Sequence, residues 1–203
     1  MTGDASEILR FWFGTADVRA APDPAKQALW WGGSPALDEE IRERFGALHA
    51  RALAGELDAW AGDPAGGLAL IVLLDQLSRN IHRGEAAAFA GDPAAQRLAL
   101  GAVDRGDDAA VGPQQRVFLY MPLEHAEDVG LQDRSVALFT ALAADLPEDA
   151  GARYVSFARQ HWDIVARFGR FPYRNAALGR PDTTEEAAWL AEGHETFGQG
   201  ATR

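Results

Sequence analysis

The chain of 203 residues contains no cysteine and only one lysine, Lys26. The absence of cysteine excludes disulfide bonds, thiolate metal sites and a cysteine nucleophile. The longest uninterrupted apolar run, Leu68 to Leu74, is too short to cross a bilayer. The first residues, with Asp4 among them, lack the apolar core of a signal peptide. The sequence therefore predicts a cytoplasmic protein without a membrane span.

A positive surface is also missing, because the formal net charge is -11. Nucleic-acid binding needs a basic patch, and anionic membranes attract basic segments, so we expect neither as a partner. All basic residues other than Lys26 and the histidines are arginine, which makes any single arginine less informative. Four of them nevertheless crowd into fourteen residues: Arg167, Arg170, Arg174 and Arg180. This crowding indicates a locally positive site inside an acidic protein.

Helix signals fill most of the chain, and alternating runs of β-branched residues are absent. Ser34-Pro35, Asp63-Pro64 and Asp92-Pro93 each combine an N-cap residue with proline at the first helical position. Thr183 opens a capping box with Glu186. We predict an all-α fold of about eight antiparallel helices stacked pairwise in a right-handed array. The array forms a single domain over residues 1–203, with 198–203 as a frayed tail.

Proline and glycine set the predicted limits of the later helices. Gly112-Pro113 opens a helix that Pro122 interrupts, and the next helix runs from Asp133 to Leu146. A long helix follows from Glu148 to Phe168, stopped by Gly169. His49 lies on the helix that begins after Ser34 and is predicted to be a surface residue.

The stretch from Leu68 to Arg83 changes from fully apolar to strongly polar along one predicted helix. Its core face carries Leu70, Leu73, Leu74, Leu77 and Ile81 at helical spacing. One interpretation is a helix that surfaces halfway, with a simple Asp75–Arg79 pair. The other is that the polar residues line a cavity or an internal seam, where charges are paired or bind a ligand. The polar set is Asp75, Gln76, Ser78, Arg79, Asn80 and Arg83.

Two further segments carry polar residues that a purely structural helix does not need. Tyr120, Glu124, His125, Glu127 and Asp128 form one of these clusters beside Pro122. The other combines His161 with an irregular loop at 168–175, where Gly169 and Pro172 break the helix. That loop presents arginines suited to carboxylate or phosphate groups. Its residues of interest are Arg167, Arg170, Arg174 and Asn175.

His161 lies on an apolar helical stripe with Tyr154, Phe157 and Ile164. It is either a core histidine satisfied by a carbonyl or carboxylate, or a general acid or base held in a pocket. The adjacent Trp30 and Trp31 have two interpretations as well, a plug against the core or a platform for a ligand.

No metal or cofactor is predicted. Four residues have side chains that can bind a metal: His125, Glu127, His161 and Asp75. Their spacing in the sequence matches no known metal-binding motif. Ser78 lacks the glycines of a nucleophile elbow, and no phosphate-binding glycine loop occurs.

Three long motifs resemble a known family: LLDQLSRNIHRGEAAAFAGD, VFLYMPLEHAED and HWDIVARFGRFPYRNAALGR. Together they are similar to the bacterial family numbered 924 among the domains of unknown function, over essentially the whole chain. The resemblance implies an all-α, tetratricopeptide-like fold and no established activity. The chain has Leu77-Ser78 where the family more often has phenylalanine-proline, and Tyr173 where histidine is common. The second difference weakens any mechanism that needs a histidine in that loop.

We predict that the three clusters converge on an arginine-rich pocket for a small anionic or amphoteric molecule. His125 or His161 with Glu127 is the candidate acid–base pair, although the sequence does not establish that the protein is an enzyme. A peptide- or protein-binding scaffold and a purely structural polar network are the alternatives. The candidate ligand-binding residues are Asp75, Gln76, Arg79, Asn80, Arg83, Arg170, Arg174 and Asn175.

Overall fold

The computed structural model describes residues 3–194 and 196–197, and within them every regular element is a helix. The all-α prediction is confirmed. The predicted frayed tail at 198–203 lies outside the described residues. The α-helices are α1 (Gly3–Phe13), α2 (Gln27–Trp31), α3 (Pro35–Leu53), α4 (Pro64–Ile71), α5 (Ser78–Ile81), α6 (Asp92–Arg105), α7 (Pro113–Glu124), α8 (Val129–Leu142), α9 (Glu148–Phe168) and α10 (Thr184–Ala191).

Most helix starts follow the predicted caps. Ser34 accepts a hydrogen bond from the Leu37 amide, and Asp63 accepts from the first-turn amides of α4. Thr183 and Glu186 form the predicted capping box of α10. Asp92 differs, because the N-cap position of α6 is Gly91 and Asp92 is already helical. Its carboxylate is therefore available for other partners.

The predicted helix from Leu68 to Arg83 contains a π-helical segment, Val72–Leu77, between α4 and α5. Such segments carry one extra residue per turn and often occur at functional sites. All residues from Leu68 to Leu74 are almost fully buried. The Gly91 backbone packs directly against this segment, since a Cβ at Gly91 would lie 2.3 Å from the Leu74 carbonyl oxygen.

Two predicted helix limits were wrong. Pro122 does not interrupt α7, which runs to Glu124, and the His125 amide still bonds to the Met121 carbonyl at 2.9 Å. Proline removes a single amide hydrogen bond of the helix, the one to the carbonyl four residues earlier, and the bonds that follow continue α7 to Glu124. The next helix begins at Val129 rather than Asp133, because Asp128 acts as its N-cap and accepts a hydrogen bond from the Leu131 amide.

Consecutive helices pack on one another: α6 on α7, α7 on α8, and α8 on α9. The buried helix α4 contacts α1, α6 and α7. This order is compatible with the predicted array, whose tetratricopeptide-like geometry stays a prediction. A small second apolar cluster joins α9, the loop at 171–173 and α10. None of the helices in the described residues is long and apolar enough to span a membrane.

Candidate functional site

A cavity of about 380 Å³ lies where five helical parts of the chain meet. Its polar wall comes from the end of the π segment and α5, from the end of α7, and from α9. Its aromatic wall comes from α1, α2 and α9. The lining residues are Trp12, Leu29, Trp30, Trp31, Gly32, Gly33, Gln76, Arg79, Asn80, Arg83, Met121, Glu124, His125, Phe157, His161 and Phe197.

Six of the candidate catalytic and ligand-binding residues line this cavity. Both candidate histidines are among them, although 36 positions separate them in the chain. Tertiary packing therefore brings all three motif segments to within reach of one another. The six are Gln76, Arg79, Asn80, Arg83, His125 and His161.

Asp75 lies directly behind this wall, fully buried, and holds His125 in one orientation. Its Oδ1 lies 2.7 Å from His125 Nδ1, and Arg79 Nη1 lies 3.2 Å from the same oxygen. Burial would raise the pKa of Asp75, but the charge of Arg79 and the hydrogen bonds from His125 and Gln76 hold it well below its usual range. Burial lowers the pKa of His125 in spite of Asp75. The imidazole is therefore neutral at neutral pH, with Nδ1–H donated to Asp75 and Nε2 unprotonated.

His161 forms a second imidazole–carboxylate pair in the same wall. Its Nδ1 lies 2.9 Å from the Phe157 carbonyl oxygen and 2.9 Å from Glu124 Oε1, while its buried Nε2 has no hydrogen-bond partner among the described residues. The two imidazole centroids are 6.0 Å apart. Glu124 was named from the sequence only as a member of its cluster and not as a site residue. Its position directly before His125 was the available signal.

The arginines of the wall are already paired with carboxylates. Arg79 donates to both oxygens of Asp92 at 2.9 and 3.2 Å and to the Asp75 carbonyl at 2.7 Å. Arg83 donates to both oxygens of Asp38 at 2.6 and 2.9 Å, and Asn80 also donates to Asp38. Sequence reasoning missed both partners, because Asp38 and Asp92 fit the first turns of helices, where acidic residues are favoured anyway.

The loop at 168–175 lies outside the cavity lining and is tied down by ion pairs. Arg170 donates to both oxygens of Glu186, and Asn175 donates to Asp182 at 2.7 Å. Glu127 accepts from two nitrogens of Arg180 and from the Phe171 amide at 2.8 Å. Neither Glu127, Arg170 nor Asn175 lines the cavity.

Arg174 of the same loop is buried behind the site. Its Nη1 lies 3.3 Å from Asp92 and 3.1 Å from the His125 carbonyl. Its guanidinium group lies between the rings of Phe89 and Phe171, at 4.7 and 4.5 Å from their centroids. Arg174 thus supports the cavity wall without lining it.

The adjacent residues Trp30 and Trp31 have different surroundings. Trp30 is buried, donates from Nε1 to the Trp12 carbonyl at 2.8 Å and packs edge-on against Phe118. Trp31 is 50% exposed at the rim. Trp30 therefore fits the plug interpretation, and Trp31, which is half exposed and lines the cavity, fits the platform interpretation.

The residues first considered for a metal do not form a ligand set. In the described part of the chain, no group of three or more histidine, cysteine, aspartate or glutamate side chains is arranged to hold a metal ion. Ser78 is buried and its hydroxyl donates to the Ala88 carbonyl at 3.0 Å, so it is not presented as a nucleophile.

The fold and the site together define an all-helical protein with two carboxylate-paired histidines in one cavity. The chain belongs to the family described as "Bacterial protein of unknown function (DUF924)", whose model matches residues 8–194. It is similar to the solved structure of the protein of unknown function ATU0120 from Agrobacterium tumefaciens, at 39% identity and a TM-score of 0.79. That similarity covers 93% of this chain and 97% of the other. No match was found among curated proteins.

Proposed function

We propose that the cavity binds a small anionic or amphoteric molecule and that His125 acts on it as a general base. The observation that carries this proposal is the pair of imidazoles, each held at Nδ1 near a carboxylate, that line one cavity. A carboxylate behind an imidazole fixes its tautomer and stabilises the imidazolium that forms when the other nitrogen takes a proton. A purely structural histidine has no need of an open cavity in front of it.

The volume and the lining suit a small ligand. A cavity of about 380 Å³ is at the lower end of ordinary ligand sites. Gln76 and Asn80 supply amide groups, and Arg83 supplies a guanidinium group at the rim that is partly exposed in spite of Asp38. An anionic group of the ligand would share this guanidinium group with Asp38.

The alternatives have less support. The exposed large hydrophobic side chains of the described residues are few, Trp31, Leu53 and Val129, and only Trp31 lines the cavity. A structural network fits the loop around Arg170 and Glu127, whose side chains are bonded to one another and to the backbone. It does not account for the cavity in front of His125.

A thermal-shift screen against small carboxylates, phosphates and amphoteric amino compounds tests binding. A ligand present at about 100 times its Kd stabilises the folded state by about 2.7 kcal/mol. We expect the shift in Tm for a true ligand to fall sharply in Arg83→Gln. It should persist in Arg51→Gln, a matched arginine paired with Glu56 on the surface. A ligand whose shift is the same in both variants does not bind at this site.

The acid–base role is tested by ¹⁵N NMR of protein labelled in histidine. We expect His125 to carry its proton on Nδ1 and to titrate below the ordinary histidine pKa, because it is buried. Asp75→Asn should change the tautomer or the titration of His125 while leaving the exposed His194 unchanged. An imidazolium at His125 at neutral pH would contradict its role as a base.

A further inference from the structure

Glu124 differs from every other carboxylate around the cavity. Asp38 is paired with Arg83, and Asp75 and Asp92 are paired with Arg79. Glu124 is 4% exposed, yet within the described residues no arginine or lysine pairs with it and no donor makes a hydrogen bond to its carboxylate. Its one close polar neighbour is His161 Nδ1, whose hydrogen bond is directed to the Phe157 carbonyl.

Among the described carboxylates around the cavity, Glu124 is therefore the one that no arginine neutralises. The two arginines that line the cavity each have their own carboxylate, whereas Glu124, which also lines it, is paired within the described residues only with the imidazole of His161. A buried carboxylate whose only partner is an imidazole lacks the charge compensation that an arginine or lysine gives, and a cation that binds beside it supplies that compensation. This argument favours a ligand with a positive group at Glu124.

The aromatic rings that line the cavity also suit a positively charged group of a ligand. Phe157 precedes His161 by one turn of α9 and lines the cavity with Trp30 and Trp31. No arginine or lysine of the described residues lies over the faces of these three rings, although other rings of the protein carry such cations. Aromatic faces beside a carboxylate are the usual surroundings of a bound ammonium group.

We infer that Glu124 and the adjacent aromatic wall form a subsite for an organic ammonium group. The ligand is then an amine with an acceptor or anionic group at its other end, which faces Gln76, Asn80 and Arg83. This inference rests on the proposed function and narrows its ligand from anionic or amphoteric to amphoteric. Here Glu124 is a binding residue, and His125 keeps its role as the base.

Three probes of equal chain length separate the two ends of the site: n-butylammonium, butyrate and γ-aminobutyrate. Binding is followed by NMR titration of the indole N–H signals of Trp12, Trp30 and Trp31. In the wild-type protein we expect γ-aminobutyrate to bind most tightly and n-butylammonium to bind more tightly than butyrate. Glu124→Gln should weaken the binding of both amines, n-butylammonium and γ-aminobutyrate, by at least about tenfold. This factor corresponds to the loss of a hydrogen bond to a charged group.

Control variants keep the result interpretable. Phe157→Leu keeps an apolar side chain but removes the aromatic face. It should therefore weaken the binding of n-butylammonium several-fold. Glu43→Gln, an exposed change on α3, should have no effect. If Glu124→Gln does not fold, the order of the three affinities measured on wild-type protein still tests the ammonium subsite.

The outcomes separate this inference from the proposed function. If butyrate binds wild-type protein, loses affinity in Arg83→Gln and outcompetes n-butylammonium, the ammonium subsite is refuted and an anion-binding site remains. If both amines bind equally well to wild-type protein and Glu124→Gln, the subsite is also refuted. If none of the probes shifts the three indole signals, both proposals fail.

Discussion

At the level of single residues, the protein buries several ionisable groups and compensates most of them with a specific partner. His49 is an exception, and the prediction that it lies on the surface was wrong. It is 2% exposed, and its ring lies 5.4 Å from that of His82. Its Nε2 has no hydrogen-bond partner in the part of the chain that the structure describes. Burial and the neighbouring His82 lower the pKa of His49 to about 4.

The depressed pKa of His49 predicts a loss of stability in mild acid. The folded protein holds His49 neutral, whereas the unfolded chain takes up the proton near pH 6.5, so stability is complete above that pH and falls as the pH drops toward 4. Urea denaturation of the wild-type protein should lose about 1–2 kcal/mol more between pH 7 and pH 5 than denaturation of His49→Leu.

His194→Gln is the control for this experiment, because His194 is exposed. It should show the same pH dependence as the wild-type protein. Equal pH dependence of wild-type protein and His49→Leu would mean that His49 does not contribute. His125, whose pKa is also lowered, then remains to account for any acid sensitivity.

At the level of elements, the π segment Val72–Leu77 decides which side chains of the central helix enter the cavity wall. The extra residue in its turns shifts the helix after it relative to a regular α-helix. Asp75 thus lies behind the wall while Gln76 and Arg79 line it. The sequence pattern predicted the helix and its apolar face, but helical periodicity does not reveal a π segment.

Gly91 is expected to be necessary for this arrangement for steric reasons. Its φ of -82° is open to any residue, but a Cβ there would lie 2.3 Å from the Leu74 carbonyl oxygen, a backbone atom that cannot swing away. Gly91→Ala should therefore lower the free energy of unfolding by about 2 kcal/mol or more. It should also disturb the Arg79–Asp92 pair, because Asp92 is the next residue.

Gly62→Ala is the matched control, since a Cβ at Gly62 has no atom within 4 Å. Urea denaturation should show almost no change for it. If both alanine variants are equally stable, the contact between Gly91 and the π segment does not restrict the packing.

At the level of the whole molecule, the segment after α9 is attached to the helical array through polar contacts. Glu127 accepts hydrogen bonds from the Phe171 amide and from Arg180, and Arg174 reaches Asp92 and the His125 carbonyl. Burial would raise the pKa of Glu127, but the bonds from Arg180 and Phe171 keep it below its ordinary value. These contacts explain why the loop is rich in arginine without lining the cavity.

Glu127→Gln should therefore affect stability and not ligand binding. Loss of the charge-assisted bonds to Arg180 predicts a decrease of about 2 kcal/mol in the free energy of unfolding, with faster amide exchange at 168–175. The thermal shift produced by a cavity ligand should stay the same. Glu185→Gln, which affects an exposed pair with Arg167, should change stability by less than about 1 kcal/mol.

A loss of ligand binding in Glu127→Gln, with unchanged stability, would contradict this assignment. It would return Glu127 to the role of acid–base partner that the sequence suggested.

The sequence by itself determined the all-helical fold, most of the caps and the apolar face of the central helix. These depend on spacing and on local hydrogen bonds, as at Ser34, Asp63 and Thr183, which the chain order contains directly. Only the tertiary structure decided which polar residues share a site. Arg170 and Gln76 look equally suitable in the sequence, but Arg170 is paired with Glu186 on α10 whereas Gln76 lines the cavity. Ion pairing between helices depends on packing that no local pattern encodes.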